Sequence, residues 1–150
     1  MTARTRELDA DIRVAMQSLS AAAKKGLADP IVAELASIRA SQINECAFCL
    51  DMHVDIAVGK HGESPKRIAL LNAWREAGDD TFNDRERAAL ALTEAITLLP
   101  QDGVPDEAYE AAAKHFTEPE LAHLIAVITV INTWNRLMVS RRIEPGGPAW

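Results

Sequence analysis

Hydrophobic positions along the chain recur at intervals of three and four residues, the spacing that places side chains on one face of an α-helix. Near the N-terminus this pattern predicts a helix over about 5–18 and a short helical piece over 20–27. The apolar stripe of the first helix consists of Leu8, Ile12, Val14, Ala15 and Leu19. No Asn-Gly or Asp-Gly turn joins two alternating segments, so strands are not indicated. The pattern predicts an all-α fold.

Capping and breaking residues divide the rest of the chain into further helices. An N-cap aspartate followed by proline, Asp29-Pro30, is a strong helix start, and the Asn44-Glu45 step interrupts the helical pattern. Pro100 is expected to end a helix that begins after Asn83. The predicted helices span about 30–42, 46–58, 65–77, 84–99, 105–115 and 118–142, the last opened by a capping box at Thr117 and Glu120.

The length of 150 residues fits one domain, which we assign to 1–150 with a tail at 144–150. Helix 121–140 is apolar around most of its circumference, which predicts that part of it packs against another subunit in a homo-oligomer. Its longest apolar stretch, Leu121–Ile131, is interrupted by His123 and is too short to span a bilayer. We therefore expect no membrane partner.

Composition and charge narrow the range of partners and compartments. Sixteen basic and 22 acidic residues give a net charge of -6 without a basic cluster, which argues against nucleic acid. Residues 1–11 mix both charges and lack the apolar stretch of a signal peptide, so we expect a cytoplasmic protein. In a reducing cytosol a CxxC pair is more often catalytic, redox-sensing or metal-binding than a permanent structural disulfide.

The only two cysteines of the chain, Cys46 and Cys49, lie close to His53 in sequence. Spacings of three and four residues put both sulfurs and the imidazole on one face of a helix that begins near Cys46. The positive end of the helix dipole favours a thiolate in the first turn. His53 lies one turn from Cys49, about 6 Å along the axis, and about 10 Å from Cys46. We therefore predict that Cys49 is the attacking thiol.

Glu34, twelve residues before Cys46, can reach the same face only if the two helices form a hairpin that bends at about 42–45. It could then relay protons through water, and the alternative is a solvated helix acid. The CxxC pair and His53 could also be three zinc ligands, although a structural zinc site needs a fourth. His61, His115 and His123 show no partner pattern and are expected to be surface or core histidines.

With Glu34, Cys46, Cys49 and His53 at these spacings, the chain resembles the alkylhydroperoxidase D and carboxymuconolactone decarboxylase superfamily, in its short single-domain branch. The resemblance covers about residues 15–143, which it implies are the core of the domain. Segments that share it beyond the motif are Ala73-Trp74-Arg75-Glu76, residues 84–90, Gly103-Val104-Pro105-Asp106 and residues 131–136.

The resemblance implies an AhpD-like helical bundle that assembles as trimers or hexamers and needs no metal or prosthetic group as a cofactor. By position, Cys49 would be the peroxidatic thiol, Cys46 the resolving thiol, His53 the base and Glu34 the acid that completes a relay through water. The implied substrate is an organic hydroperoxide and the reductant a dithiol or lipoyl-type protein. Phe48 replaces a histidine of the best-known peroxidase, and Glu45 replaces a frequent glycine.

The leading hypothesis from the sequence is a two-cysteine alkyl hydroperoxide reductase with antioxidant activity, an oxidoreductase that forms a Cys46–Cys49 disulfide. A non-catalytic oligomeric redox sensor is the main alternative. A decarboxylase-type lyase is a further one, although the decarboxylases of the superfamily lack the CxxC pair. A zinc-binding helical module is the last alternative.

Overall fold

The computed structural model describes Thr2, Arg4 and residues 7–148, and every regular element within them is helical. Within these residues, eight α-helices follow one another along the chain. They are α1 (Ala10–Lys25), α2 (Pro30–Ile43), α3 (Ala47–Asp55), α4 (Pro65–Leu70), α5 (Asp84–Thr97), α6 (Leu99–Asp102), α7 (Asp106–Ala113) and α8 (Glu118–Arg141). A π-helical turn, Ile56–Lys60, continues α3, and a 3-10 turn, Leu71–Ala73, continues α4.

Side-chain caps explain where the main helices begin. Asp9 accepts hydrogen bonds from two backbone amides at the start of α1, and Asp29 does so at the start of α2, where Pro30 occupies the first turn. Asn83 and Thr117 each form a complete capping box, with Glu86 and Glu120 respectively. The predicted starts of α2, α5 and α8 are confirmed.

Helix α2 is the centre of the fold and packs against α3, α5 and α8. Nine of its fourteen residues are buried, on all sides of the helix. Because these include Glu34, Ser37 and Ser41, the centre of the molecule carries polar groups that must find partners inside it. The two serines donate to backbone carbonyls of their own helix, at 2.8 Å and 2.7 Å. The hydrogen-bond partners of Glu34 lie on neighbouring helices.

Helix α8 is long and apolar enough, by length and composition alone, to cross a membrane, and its 24 residues exceed the apolar stretch recognised in the sequence. Core helices of globular proteins have the same composition. Nine residues of α8 are buried, and the helix packs against α1, α2, α3, α5 and α7. Packing within the chain therefore accounts for much of its apolar surface.

Two expectations for α1 are wrong. The helix is continuous from Ala10 to Lys25, because no residue near Ser18 interrupts its backbone hydrogen bonds; the predicted start at Thr5 lies outside the described residues. The predicted apolar stripe is half exposed, with Ile12, Val14 and Leu19 at 50%, 55% and 51%. The buried side of the C-terminal half is instead centred on Ala23, which packs toward α8.

The predicted helices over 65–77 and 84–99 also end differently. Helix α4 stops at Leu70 and tightens into a 3-10 turn before Trp74. Pro100 does not end a helix, since it occupies the first turn of α6, where its missing N–H donor leaves no bond unmade. Helix α5 ends two residues earlier than expected, at Thr97.

Candidate functional site

The turn between α2 and α3 is held in place by side chains of α8. Asn44 caps α2, and its side-chain amide donates to the Oδ1 atoms of Asn132 and Asn135, each at 2.9 Å. Glu45 then adopts a φ of 53°, in the left-handed region, which reverses the chain direction. The amide of Cys46 donates to the Ser41 carbonyl at 3.0 Å. This arrangement fixes the start of α3 and forms the helical hairpin that Glu34 requires in order to reach the face of the cysteines.

Cys46 and Cys49 are joined by a disulfide, with their Cα atoms 5.3 Å apart. Cys46 is the N-cap of α3 rather than part of the helix, and its sulfur accepts a hydrogen bond from the Cys49 amide at 3.4 Å. Both residues are only 1% exposed. Once reduced, both sulfurs would lie at the positive end of the helix dipole, which favours a thiolate.

His53 and Glu34 form a direct hydrogen bond between α3 and α2, with 2.6 Å between His53 Nδ1 and Glu34 Oε2. Both side chains are buried, at 6% and 2% exposure. Contact with an ionised carboxylate favours the tautomer that carries its proton on Nδ1, which leaves Nε2 as the proton acceptor. The sequence-based expectation of a relay through water therefore needs a correction, because this link is direct.

Lys24, at the end of α1, completes a group of three charged or polar side chains. Its Nζ atom donates to Glu34 Oε1 at 2.6 Å, so each carboxylate oxygen has its own partner. Burial alone would raise the pKa of Glu34, but the hydrogen bonds and charges of His53 and Lys24 outweigh it and hold that pKa below its ordinary value. We call Lys24, Glu34 and His53 the relay cluster.

An apolar cavity of about 210 Å³ adjoins the disulfide, between α1, α3 and α8. Cys49 and His53 both line it, whereas Cys46 is not among its lining residues. Most of its wall is hydrophobic, and its few polar groups include Lys24 and Ser20, the latter held by the Trp134 indole N–H at 2.9 Å. A small organic molecule in this cavity would therefore meet Cys49 first.

The structure brings together the four residues singled out in the sequence. Cys46 is bonded to Cys49, Cys49 shares a cavity with His53, and His53 contacts Glu34. Sequence reasoning missed Lys24, because its contact with Glu34 spans the α1–α2 turn and follows no helical spacing. Among the described residues, no group of three or more His, Cys, Asp or Glu side chains could hold a metal ion.

Comparison with known proteins places this site in a family. The sequence pattern of the carboxymuconolactone decarboxylase family matches residues 11–95, a range that includes the relay cluster and both cysteines. YdfG of Bacillus subtilis (strain 168) is 46% identical over 107 residues, 71% of each protein. YnjA of Escherichia coli (strain K12) is 34% identical over 109 residues, 73% of this chain and 58% of that protein. Both relatives are uncharacterized.

Solved structures of similar shape exist as well. The Agrobacterium tumefaciens protein ATU0492, of unknown function and provisionally described as an AhpD antioxidant defence protein, has a TM-score of 0.87 and 33% identity. The match covers 95% of this chain and 98% of that one. An uncharacterized peroxidase-related protein from Silicibacter sp. TM1040 has a TM-score of 0.74 at 18% identity, covering 91% and 71%, and shares the fold.

Proposed function

This chain belongs to the carboxymuconolactone decarboxylase family, and from that premise we propose that it is a two-cysteine alkyl hydroperoxide reductase with antioxidant activity. The observation that carries the proposal is a CxxC pair whose second sulfur lines the same apolar cavity as His53, with Glu34 hydrogen-bonded behind that histidine. A nucleophile, a base and a group that orients the base are the parts that thiol catalysis requires. The family's AhpD-like members make the redox assignment the natural one.

In the proposed first step, His53 takes the proton of Cys49 and the resulting thiolate attacks the terminal oxygen of an organic hydroperoxide. A sulfur–oxygen bond forms while the oxygen–oxygen bond breaks, which leaves Cys49 as a sulfenic acid. The alkoxide that departs takes the proton held on His53 and leaves as an alcohol. Sulfur is oxidised by two electrons and the peroxide is reduced by two.

In the proposed second step, the thiolate of Cys46 attacks the Cys49 sulfur, which forms the disulfide and releases water once the hydroxyl group has been protonated. Because only two residues separate the cysteines, the sulfurs need little backbone movement to bond. A dithiol reductant, free or on a lipoyl-type protein, then exchanges with the disulfide and returns both thiols. No metal or prosthetic group enters this cycle.

The proposal includes a cytoplasmic homo-oligomer, a trimer or a hexamer. The half-exposed side chains of Ile12 and Leu19 support this assembly, because they lie two helical turns apart on one face of α1 and exposed apolar side chains on one face favour association. The cytoplasmic location fits the proposed cycle, since a reducing compartment favours reopening of the disulfide after each turnover. Neither nucleic acid nor membrane is part of the proposed cycle.

Steady-state consumption of cumene hydroperoxide with dihydrolipoamide as reductant tests the proposal. We expect many turnovers per subunit in the wild type and none in Cys49→Ser. Without a dithiol, Cys46→Ser should consume one equivalent of peroxide and accumulate a sulfenic acid that dimedone traps. Continued turnover in Cys49→Ser would contradict the assigned roles.

A redox sensor is the second candidate, because both cysteines pack against Ile131 and Met138 of α8 and could transmit their oxidation state to that helix. A sensor would oxidise once and stop even with dithiol supplied. The same assay therefore separates the two functions.

A further inference from the structure

Lys24 extends from the last turn of α1 across the connection at 26–29 to reach Glu34. Its Nζ atom lies 2.6 Å from Glu34 Oε1, while His53 occupies the other oxygen of the same carboxylate. The Lys24 side chain is 39% exposed and that of Glu34 is 3% exposed. The ammonium therefore links a buried carboxylate to the protein surface.

The end of α1 is fixed to α8 by contacts on either side of Lys24 in the sequence. His123 Nδ1 donates to the Ala23 carbonyl at 3.0 Å. The imidazole also fills the space beside Gly26, where an added Cβ atom would lie 2.0 Å from His123 Cδ2. Close packing on both sides of Lys24 therefore sets the direction from which its side chain approaches Glu34.

A second cavity, of about 260 Å³, also adjoins this ion pair. Lys24 and Ile56 line both cavities, and Glu34 lines the second one together with Lys60 and His61 of the π-helical region. Helix α8 presents no ionisable side chain to the first cavity, since its lining residues there are apolar or, at Trp134, an indole. Among the described residues that line either cavity, Glu34 is the only carboxylate.

The charges near Cys49 follow from the residues that line the two cavities. A buried carboxylate near a thiol disfavours the thiolate, because two negative charges repel strongly at low dielectric. The ammonium of Lys24 offsets the charge of Glu34, while the carboxylate keeps its hydrogen bond to His53. The ion pair therefore adds little net charge near Cys49.

We propose that Lys24 is a positioning residue, which balances the charge of Glu34 so that the carboxylate can orient His53 without disfavouring the thiolate of Cys49. This role rests on the proposed peroxidase function. Lys24 acts through Glu34 and not by contact with the reacting sulfur.

A thiolate titration tests the role of Lys24 directly. In a Cys46→Ser background Cys49 is the only thiol of the chain, so ultraviolet thiolate absorbance against pH reports that sulfur alone. We expect Lys24→Met to move the midpoint to higher pH by about one unit, because a nearby positive charge that favours the deprotonated state is lost. Lys24→Arg should restore the parent midpoint. Lys25→Met removes the same charge from an exposed neighbour and should leave it unchanged.

A Lys24→Met midpoint that coincides with that of Lys25→Met, in protein whose far-ultraviolet circular dichroism is native, would overturn the proposal. Should Lys24→Met fail to fold, Lys24→Gln keeps a hydrogen-bond donor without the charge and gives the same test. The titration needs no peroxide, so it stands apart from turnover in the wild type. Failure of the proposed function would appear as absent turnover, and failure of this inference as an unmoved midpoint.

Discussion

Among the described residues, buried glutamates pair with cations at two places, and the surroundings of the two places differ. In the relay cluster, Glu34 is shared between Lys24 and His53, and the histidine lines a cavity that Cys49 also lines. The second place is the guanidinium cluster, which we define as Arg67 with Glu63 and Glu86. The guanidinium cluster contains neither histidine nor thiol.

Every partner in the guanidinium cluster is fixed by several bonds. Arg67 donates to Glu63 at 2.9 Å and 3.1 Å, to Glu86 at 2.8 Å and 3.2 Å, and to the Thr81 carbonyl. Its guanidinium also lies 4.8 Å from the centre of the Phe82 ring. The hydrogen bond to Glu86 is the largest of the effects that raise the pKa of Arg67, so its charge is permanent. Such a cluster ties the loop before α5 to α4.

The comparison teaches that a buried carboxylate becomes chemically useful when its partner can change protonation state. Arg67 keeps its proton at any pH at which the protein folds, so the guanidinium cluster can only stabilise. An imidazole such as that of His53 can both accept and donate a proton, and its second nitrogen has no partner within the relay cluster. Removal of one member should therefore lower turnover in the relay cluster and lower stability in the guanidinium cluster.

The largest effect is expected for His53→Gln. The amide can still contact Glu34, so the fold should persist, but the base for Cys49 is gone. We expect peroxide turnover to fall by about a hundredfold or more. Steady-state kinetics measures the loss, and a urea unfolding curve close to that of the wild type shows that stability is retained. Turnover at the wild-type rate would remove His53 from the mechanism.

Arg67→Met is the matching change in the guanidinium cluster. It leaves two buried carboxylates without their cation, which should lower the free energy of unfolding by about 3 kcal/mol. Chemical denaturation measures this loss, and turnover per folded molecule should stay near the wild-type value. Arg75→Met is the control, because the side chain of Arg75 is 58% exposed and its ion pair with Glu94 should contribute less than about 1 kcal/mol. Equal losses in the two variants would contradict the comparison.

Acid should weaken the relay cluster in a defined direction. The pKa of Glu34 is lower in the folded protein than its ordinary value of 4.5. The ionised carboxylate therefore stabilises the folded protein above pH 4.5, and this stabilisation is lost as the pH falls through the pKa of the folded state. The difference in free energy of unfolding between wild type and Glu34→Gln should therefore narrow as pH falls below 4.5. Urea unfolding between neutral and acidic pH measures it. A difference that widens in acid would contradict the assigned ionisation.

The smallest effect is expected for Phe48→His. Phe48 lies between the two cysteines in the sequence, and its side chain lines the apolar cavity. The best-known peroxidase of the superfamily carries a histidine at this position. A second imidazole should raise turnover about threefold by adding a proton carrier. Phe48→Leu, which keeps an apolar wall, is the control. Equal rates in the two variants would show that this position does not take part in proton transfer.

Much of the fold could be predicted from local signals. Asp29, Asn83 and Thr117 cap helices within a few residues of where the sequence places their starts, because capping is a contact between near neighbours. The face that α1 turns inward could not be predicted, since Ile12, Val14 and Leu19 are as apolar as core residues and only the position of α8 decides which side is covered.

The candidate site divides in the same way. Cys46, Cys49 and His53 belong to one helix, α3, with its N-cap, so their proximity was predictable from spacing, and Glu34 followed from a motif. Lys24 was not predictable, because its contact with Glu34 depends on how His123 and Gly26 fix α1 against α8. Glu45 adopts a φ of 53°, a region that favours glycine, so a glycine would adopt this backbone with less strain than glutamate does.

Counting free thiols before and after one equivalent of cumene hydroperoxide tests the central claim most directly. Reduced protein should show two thiols per subunit before the addition and none after it, with an equal amount of cumyl alcohol formed and both thiols restored by a dithiol. Protein that keeps both thiols while the peroxide remains intact would contradict the proposed cycle.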